Sequence, residues 1–170
     1  MGNLKLTSSA FEDGGEIPRE CGYKNGNETP SLAINGIPEG TKSLTLIMDD
    51  PDAMGAVGKV WVHWVVWNID PTREFITGNP QESKFVEGMT DFGEVGYGGP
   101  APPDKKHTYF FRLYAVDFGG FQAYARYPED PVSGTKPTKR LSPMLTKNDL
   151  MKKIKGHILD QVTLTGTYAP

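Results

Sequence analysis

Histidine side chains give a sequence its acid–base chemistry near neutral pH, and this one has three: His63, His107 and His157. His63 and His107 lie in segments rich in aromatic and β-branched residues, which predict strands. Because residues two apart in a strand share a face, Trp61 points the same way as His63, and Tyr109 points the same way as His107. Each strand therefore presents an imidazole beside an aromatic ring, and such a pair can donate hydrogen bonds to a ligand.

Two loops accompany these strands. Residues 48–54, with the sequence Met-Asp-Asp-Pro-Asp-Ala-Met, place three carboxylates around a proline before the first strand. Residues 91–103 precede the second strand, and Gly98 and Gly99 within them let backbone N–H groups approach a ligand closely, an arrangement that binds anions. Either loop alone is more typical of a solvated turn, so only their combination with the histidines predicts a site for a small anion.

The same residues leave an enzymatic alternative open. Two histidines and a carboxylate can form a facial triad for a metal ion, which would suit a metal-dependent hydrolase. However, a divalent ion does not prefer tyrosine and a glycine-rich loop, and the sequence has no G-x-S-x-G, Walker A or dinucleotide-binding pattern. We therefore predict a binding module without catalytic residues, cofactor or bound metal, and keep a hydrolase, metal-dependent or of another kind, as the alternative.

Charge and composition restrict the partners and the location. A net charge of -3 disfavours a nucleic-acid partner. The longest apolar run, residues 60–67, is far shorter than the roughly 20 residues that span a bilayer. Cys21 is the only cysteine, so no internal disulfide can form, and the sequence begins without a signal-peptide pattern. We expect a cytoplasmic protein.

The elements that position these residues are mostly strands. The chain has 170 residues with no linker or repeat, so we expect one domain over residues 1–170, and its 20 glycines and 14 prolines favour many short strands. The alternation in residues 43–49 predicts a half-buried strand, and the apolar residues on both faces of 60–69 predict a strand packed on both sides. The predicted strands are residues 3–8, 43–49, 60–69, 107–117 and 162–168.

One helix is predicted near the end. Thr146 can cap it with Asp149 three residues later, and a stripe of Leu150, Ile154 and Ile158 continues past Gly156. Before it, residues 119–143 form a long irregular stretch with several prolines. Together these elements predict a mostly-β domain of two packed sheets.

Four motifs resemble the phosphatidylethanolamine-binding protein family, which includes the Raf kinase inhibitor proteins. They are Asp-Pro-Asp-Ala at 50–53, Trp-Val-His-Trp-Val-Val-Trp-Asn-Ile at 61–69, Gly-Pro-Ala-Pro-Pro at 99–103 and His-Thr-Tyr-Phe-Phe-Arg-Leu-Tyr-Ala at 107–115. The resemblance covers nearly the whole chain. The length, the Gly98-Gly99-Pro100 sequence and the ending Tyr168-Ala169-Pro170 look like the bacterial and archaeal branch.

This resemblance implies a β-sandwich of two antiparallel-type sheets with one or two short helices. It also implies a shallow pocket for phosphate or phosphorylated head groups, as a free anion or on a phospholipid. The ligand-binding positions that match are Asp50, Trp61, His63, Gly99, Pro100, His107 and Tyr109. We expect the imidazoles, the Tyr109 hydroxyl and N–H groups near Gly98 and Gly99 to donate to the anion. Asp50 would accept a hydrogen bond from one histidine or contact a ligand ammonium, and anion affinity should weaken as the pH rises through the histidine range.

The sequence departs from the family at three places. Met54 stands where the family usually has proline, which affects the rigidity of one pocket wall, and Thr108 replaces a frequent arginine with its side chain facing away. A closing strand replaces the C-terminal helix of mammalian members, so the pocket should be more open or be covered by the partner subunit of a homodimer.

Family members also inhibit kinases or serine proteases, which implies such a protein partner as a further role. Phe121, Tyr124 and Tyr127 could supply the surface for it, or they could simply cover the core.

Overall fold

The structure is a computed structural model that describes residues 3–78, 85–120 and 145–170. The strands are β1 (Lys5–Ser8), β2 (Gly15–Glu16), β3 (Leu32–Asn35), β4 (Ser43–Asp50), β5 (Trp61–Ile69), β6 (Phe75–Ile76), β7 (Val86–Glu87), β8 (His107–Val116) and β9 (Ile158–Tyr168). The described residues also form two α-helices, α1 (Ala53–Val57) and α2 (Lys147–Ile154), and a short 3-10 helix (Arg19–Cys21). None of the helices in these residues is long and apolar enough to cross a membrane.

The described residues form two sheets, as predicted. A six-stranded sheet has the order β2-β9-β8-β4-β5-β7, and a three-stranded sheet has the order β1-β3-β6. All neighbouring strands are antiparallel except β2 and β9, which pair in parallel. The main core lies between the sheets, where the small sheet contributes Leu6 and Ile34 and the large sheet Trp64 and Phe111. The mostly-β fold expected from the sequence is confirmed.

Strand β4 is buried on both faces, so the prediction of a half-buried strand was wrong. Leu46 and its neighbours on one face join the core between the sheets, whereas Ile47 on the opposite face packs with Val65, Leu150 and Ile154. Helix α2 supplies the last two residues and covers that face. The alternation of β4 could not indicate this cover, because the helix comes about a hundred residues later in the sequence.

Helix α2 begins at the predicted cap and ends earlier than predicted. Thr146 and Asp149 form a reciprocal capping box, which satisfies N–H groups at the helix start. The helix ends at Ile154, and Gly156 lies beyond it with a φ of 86°, a left-handed conformation that favours glycine. Ile158 therefore belongs to β9 and is not part of the apolar helix stripe.

The topology brings the candidate residues to one edge of the large sheet. Because β4 runs antiparallel to both β5 and β8, its last residue, Asp50, lies near the first residues of those two strands. A register shift on β5 pairs Val62 with Asp49 and Trp64 with Met48, which leaves His63 as an extra residue in a bulge. Bulges of this kind redirect a side chain, and they are common beside functional sites.

Candidate ligand-binding site

A cavity of about 170 Å³ lies at this edge of the large sheet. Three of the predicted site residues line it: Asp50, Trp61 and His63. The rest of its lining is apolar and consists of Ala53, Val57, Phe92, Ala101 and Pro103. The volume is below the roughly 300 Å³ at which pockets for drug-sized ligands begin, so the cavity suits a compact group and not an acyl chain.

The ring of His63 is held in one orientation by the glycine-rich loop. Its Nδ1 lies 2.7 Å from the carbonyl oxygen of Gly98 and 3.1 Å from that of Gly99. Carbonyl oxygens only accept hydrogen bonds, so Nδ1 carries a proton and donates it. The other ring nitrogen, Nε2, has no hydrogen-bond partner among the described residues and belongs to a side chain that lines the cavity.

Burial also sets the charge of His63. Removal from water lowers its pKa, and this effect outweighs the carbonyls of Gly98 and Gly99 and the charge of Asp50, which raise it. His63 is therefore neutral near pH 7 in the absence of a ligand, and Nε2 presents a lone pair. A ligand that brings negative charge would favour uptake of a proton at this nitrogen.

The backbone N–H groups of the glycine loop are already used by the fold. The N–H of Gly98 donates to the carbonyl oxygen of His63 at 2.8 Å, and the N–H of Gly99 donates to Oδ1 of Asn27 at 2.7 Å. The expectation that they are available to an anion is not met in this structure. Gly98 and Gly99 instead orient His63, and Pro100 lines a neighbouring groove.

His107 is buried behind the cavity and contacts two carboxylates. Its Nδ1 lies 2.7 Å from Oδ2 of Asp50, and its Nε2 lies 2.9 Å from Oδ1 of Asp104. Burial lowers the pKa of His107, but Asp50 and Asp104 together outweigh that effect and raise it. The predicted hydrogen bond from a histidine to Asp50 is present, and His107, when protonated, places its positive charge between the two carboxylates. Both of its N–H groups are occupied.

Tyr109 is fully buried next to His63, with the two rings edge to face at a centroid distance of 5.1 Å. Burial, followed by the nearby Asp50 charge, raises the pKa of its phenol, which therefore stays protonated. Its hydroxyl has no hydrogen bond of normal geometry among the described residues, but the Asp50 carboxylate and the backbone of Ala101 lie close enough to act on its pKa. The hydroxyl therefore faces Asp50 and is not exposed in the cavity.

Phe92 and Asp104 are site residues that the sequence reasoning missed. The Phe92 ring stacks on Tyr23 at 4.0 Å and meets Trp61 and His63 edge-on, so it forms one wall of the cavity. The sequence signal that could have identified Phe92 is its position in the loop 91–103, which was already predicted to border the site. Asp104 stands three residues before His107, and that spacing could have indicated their contact.

The structure shows where two of the residues that depart from the family motifs, Met54 and Thr108, lie relative to the cavity. Met54 lies in α1 with 53% of its surface exposed and does not line the cavity. Thr108 is half-buried, and its backbone N–H donates to Oδ2 of Asp52 at 2.8 Å. The proposed partner surface of Phe121, Tyr124 and Tyr127 lies outside the described residues, as does most of the stretch 119–143.

A metal site would need several ligands that converge on one point. Within residues 3–78, 85–120 and 145–170, no three His, Cys, Asp or Glu side chains form such a group. Asp50, His107 and Asp104 are close to one another, but each nitrogen of His107 faces a carboxylate directly.

Comparison with known proteins extends over the whole chain. The profile of the family described as phosphatidylethanolamine-binding protein matches residues 7–169. A UPF0098 protein of Methanothermobacter thermautotrophicus is 36% identical over 97% of this chain and 98% of its own length. A UPF0098 protein of Archaeoglobus fulgidus is 37% identical over 99% of this chain, and the chain spans 52% of that longer relative.

Solved structures show the same architecture. The phosphatidylethanolamine-binding protein homologue CT736 of Chlamydia trachomatis has a TM-score of 0.79 and 31% identity, with coverage of 99% of this chain and 98% of that chain. YbcL of Escherichia coli, described as a new member of the mammalian family of such proteins, has a TM-score of 0.76 and 27% identity, with 98% of each chain covered.

Proposed function

Because the chain belongs to the phosphatidylethanolamine-binding protein family, we propose that it is a non-enzymatic binding protein whose cavity takes a small phosphorylated group. The group is a phosphate monoester when it is free, such as phosphorylethanolamine, and a phosphodiester when it is the head group of a phospholipid. The observation that carries the proposal is the Nε2 atom of His63, which belongs to a fixed ring at the cavity and has no partner among the described residues.

His63 and a phosphate are chemically matched. A singly protonated phosphate monoester can donate its P–OH hydrogen to the neutral Nε2, and the doubly charged form can bind with uptake of a proton at His63. In the second case the imidazolium donates a charge-assisted hydrogen bond, which is shorter and stronger than a neutral one. The Tyr109 ring packs edge to face against the His63 ring and helps to hold it at the cavity.

Asp50 does not make the cavity repel anions as strongly as a lone carboxylate would. Its charge is balanced by the His107 imidazolium at 2.7 Å. An ammonium on the ligand would add a favourable contact with the Asp50 carboxylate, and it would lie among the aromatic rings of Trp61 and Phe92, whose faces attract cations. A zwitterionic head group such as phosphorylethanolamine therefore fits the site better than a purely anionic one of the same size.

Calorimetric titration of the protein with phosphorylethanolamine at pH 6 tests the proposal. We expect His63→Ala to lose at least about tenfold in affinity, since a charge-assisted hydrogen bond contributes about 1.5–3 kcal/mol. His157→Ala is the matched control, because His157 is exposed, bonds to Asp117 and does not line the cavity. Equal affinity of the wild type and His63→Ala would contradict the proposal.

A further inference from the structure

Asp104 and His107 form a contact between an exposed residue and a fully buried one. His107 is 0% exposed, whereas the Asp104 side chain is 47% exposed. The contact itself is short, 2.9 Å between Nε2 and Oδ1. Asp104 directly follows Pro103, which lines the cavity, so its carboxylate stands beside the site and not at a distant surface.

The Asp104 carboxylate occupies the position that an external oxyanion would need. Asp50 holds Nδ1 of His107 from the buried side, which leaves the N–H of Nε2 as the one donor of this ring that a ligand from solvent could reach. A carboxylate and a phosphate present the same kind of acceptor oxygen to such a donor. Two acceptors cannot use the same N–H at good geometry, so binding of the second requires departure of the first.

We propose that Nε2–H of His107 is an oxyanion-binding position that the chain's own Asp104 carboxylate fills, so that a phosphate or carboxylate group binds there by displacing Asp104. This inference rests on the proposed function and deepens it, because it names the residue that limits the site's affinity for anions. A neighbouring side chain competes at an effective concentration in the millimolar range or above, and the wild type should therefore bind simple anions weakly.

Charge is the second reason for the weak binding expected of the wild type. Around His107 the two carboxylates outnumber the single imidazolium, so the cluster repels an incoming anion. Without Asp104 the Asp50–His107 pair is neutral, and an added oxyanion would restore the arrangement seen in this structure. Asp50 and Asp104 raise the pKa of His107, which favours the protonated Nε2 that this exchange requires.

Removal of the competitor should increase affinity, and Asp52 provides a matched control. Asp52 is an exposed carboxylate that bonds to the backbone N–H of Thr108, next to His107, but does not touch the ring. We expect Asp104→Ala to bind inorganic phosphate and acetate about tenfold more tightly than the wild type, and Asp104→Asn to gain less, since its amide oxygen can still accept from Nε2. Asp52→Asn removes the same charge and should change affinity less than about twofold.

The titrations are followed by calorimetry and by the imidazole ¹⁵N signals of His107, which should shift at lower anion concentration in the Asp104 variants than in the wild type. If Asp104→Ala folds poorly, added acetate should raise its melting temperature more than that of the wild type, because a ligand of the folded state stabilises it. An unchanged affinity in both Asp104 variants, or an equal gain in Asp52→Asn, overturns this inference. The proposed function would still stand in that case, provided that the wild type binds phosphorylethanolamine through His63. No binding of phosphate or phosphorylethanolamine to any variant overturns both.

Discussion

Asp50 and His107 form an ion pair in the interior, with Oδ2 and Nδ1 2.7 Å apart and neither side chain more than 4% exposed. The pair joins the end of β4 to the start of β8 across 57 residues of sequence. Its second carboxylate oxygen accepts the N–H of Ala53 at 3.2 Å, which ties the start of α1 to the same point. The pair therefore fixes the cavity wall and balances charge beside it.

Removal of the Asp50 charge should destabilise the protein. Asp50→Asn leaves the buried imidazolium without its inner partner, and breaking such pairs typically costs about 3 kcal/mol or more. Urea unfolding at pH 6, where His107 is charged, should show this loss as a lower midpoint. Asp52→Asn, a nearby carboxylate in an exposed position, should shift the midpoint little. Equal stability of Asp50→Asn and the wild type would contradict the role given to the pair.

The histidines should titrate on opposite sides of their ordinary pKa of 6.5. The pKa of His107 is raised, so its contribution to stability is fully present below pH 6.5 and is lost as the pH rises through its folded-state pKa. The pKa of His63 is lowered, so its contribution is present above pH 6.5 and is lost as the pH falls through its folded-state pKa. NMR titration of the ring protons without ligand should show His63 losing its proton at lower pH than His107; the reverse order would refute the assignment.

Five of the nine strands in the described residues were predicted, and the short strands β2, β3, β6 and β7 were not. The contacts between strands were not predictable either. Residues 60–69 and 107–117 carry the β-branched and aromatic content of buried strands, and both strands are present within one residue of the predicted bounds. The stripe that suggested a helix up to Ile158 fails because Gly156 turns the chain into β9. The spacing of apolar residues shows which face of a single strand or helix is buried, but it does not show which other element packs against that face.

For the site, the sequence indicated which residue types take part. The structure changed the roles of Gly98 and Gly99, which orient His63 instead of donating to an anion. A histidine bonded to Asp50 follows from the chemistry of the pair, and it is present. Glycine tolerates a close approach of any group, so the sequence could not tell a ligand from the protein itself. At Gly99 the close group is the carbonyl of Cys21, which lies 2.0 Å from where a Cβ would be.

Substitution of Gly99 should therefore disturb both stability and the site. In Gly99→Ala the new Cβ would overlap the backbone of Cys21 and crowd the N atom of Tyr23 at 2.8 Å, so the loop that orients His63 must move. We expect a loss of roughly 1–3 kcal/mol in unfolding free energy, in the range of overpacked interiors, together with weaker phosphorylethanolamine binding. Gly55→Ala is the control, because its Cβ meets no described atom within 4 Å. A fully stable Gly99→Ala with normal affinity would show that the loop does not hold His63.

The single thiol should be unreactive in the native protein. Cys21 is buried, and burial, with smaller effects of Glu20 and Glu28, raises the pKa of its thiol to about 11. Since the thiolate is the reactive form, a disulfide reagent at pH 8 should label the folded protein far more slowly than the protein in guanidinium. Rapid labelling under native conditions would mean that the turn holding Cys21 opens easily.

The most direct test of the central claim is the ¹⁵N spectrum of the histidine rings during titration with phosphorylethanolamine at pH 7. The account expects Nε2 of His63 to change from the signal of an unprotonated nitrogen to that of a hydrogen-bonded or protonated one, with Nδ1 unchanged and His157 unaffected. Saturable binding that leaves both nitrogens of His63 unchanged would contradict it, because the ligand would then occupy some other part of the molecule.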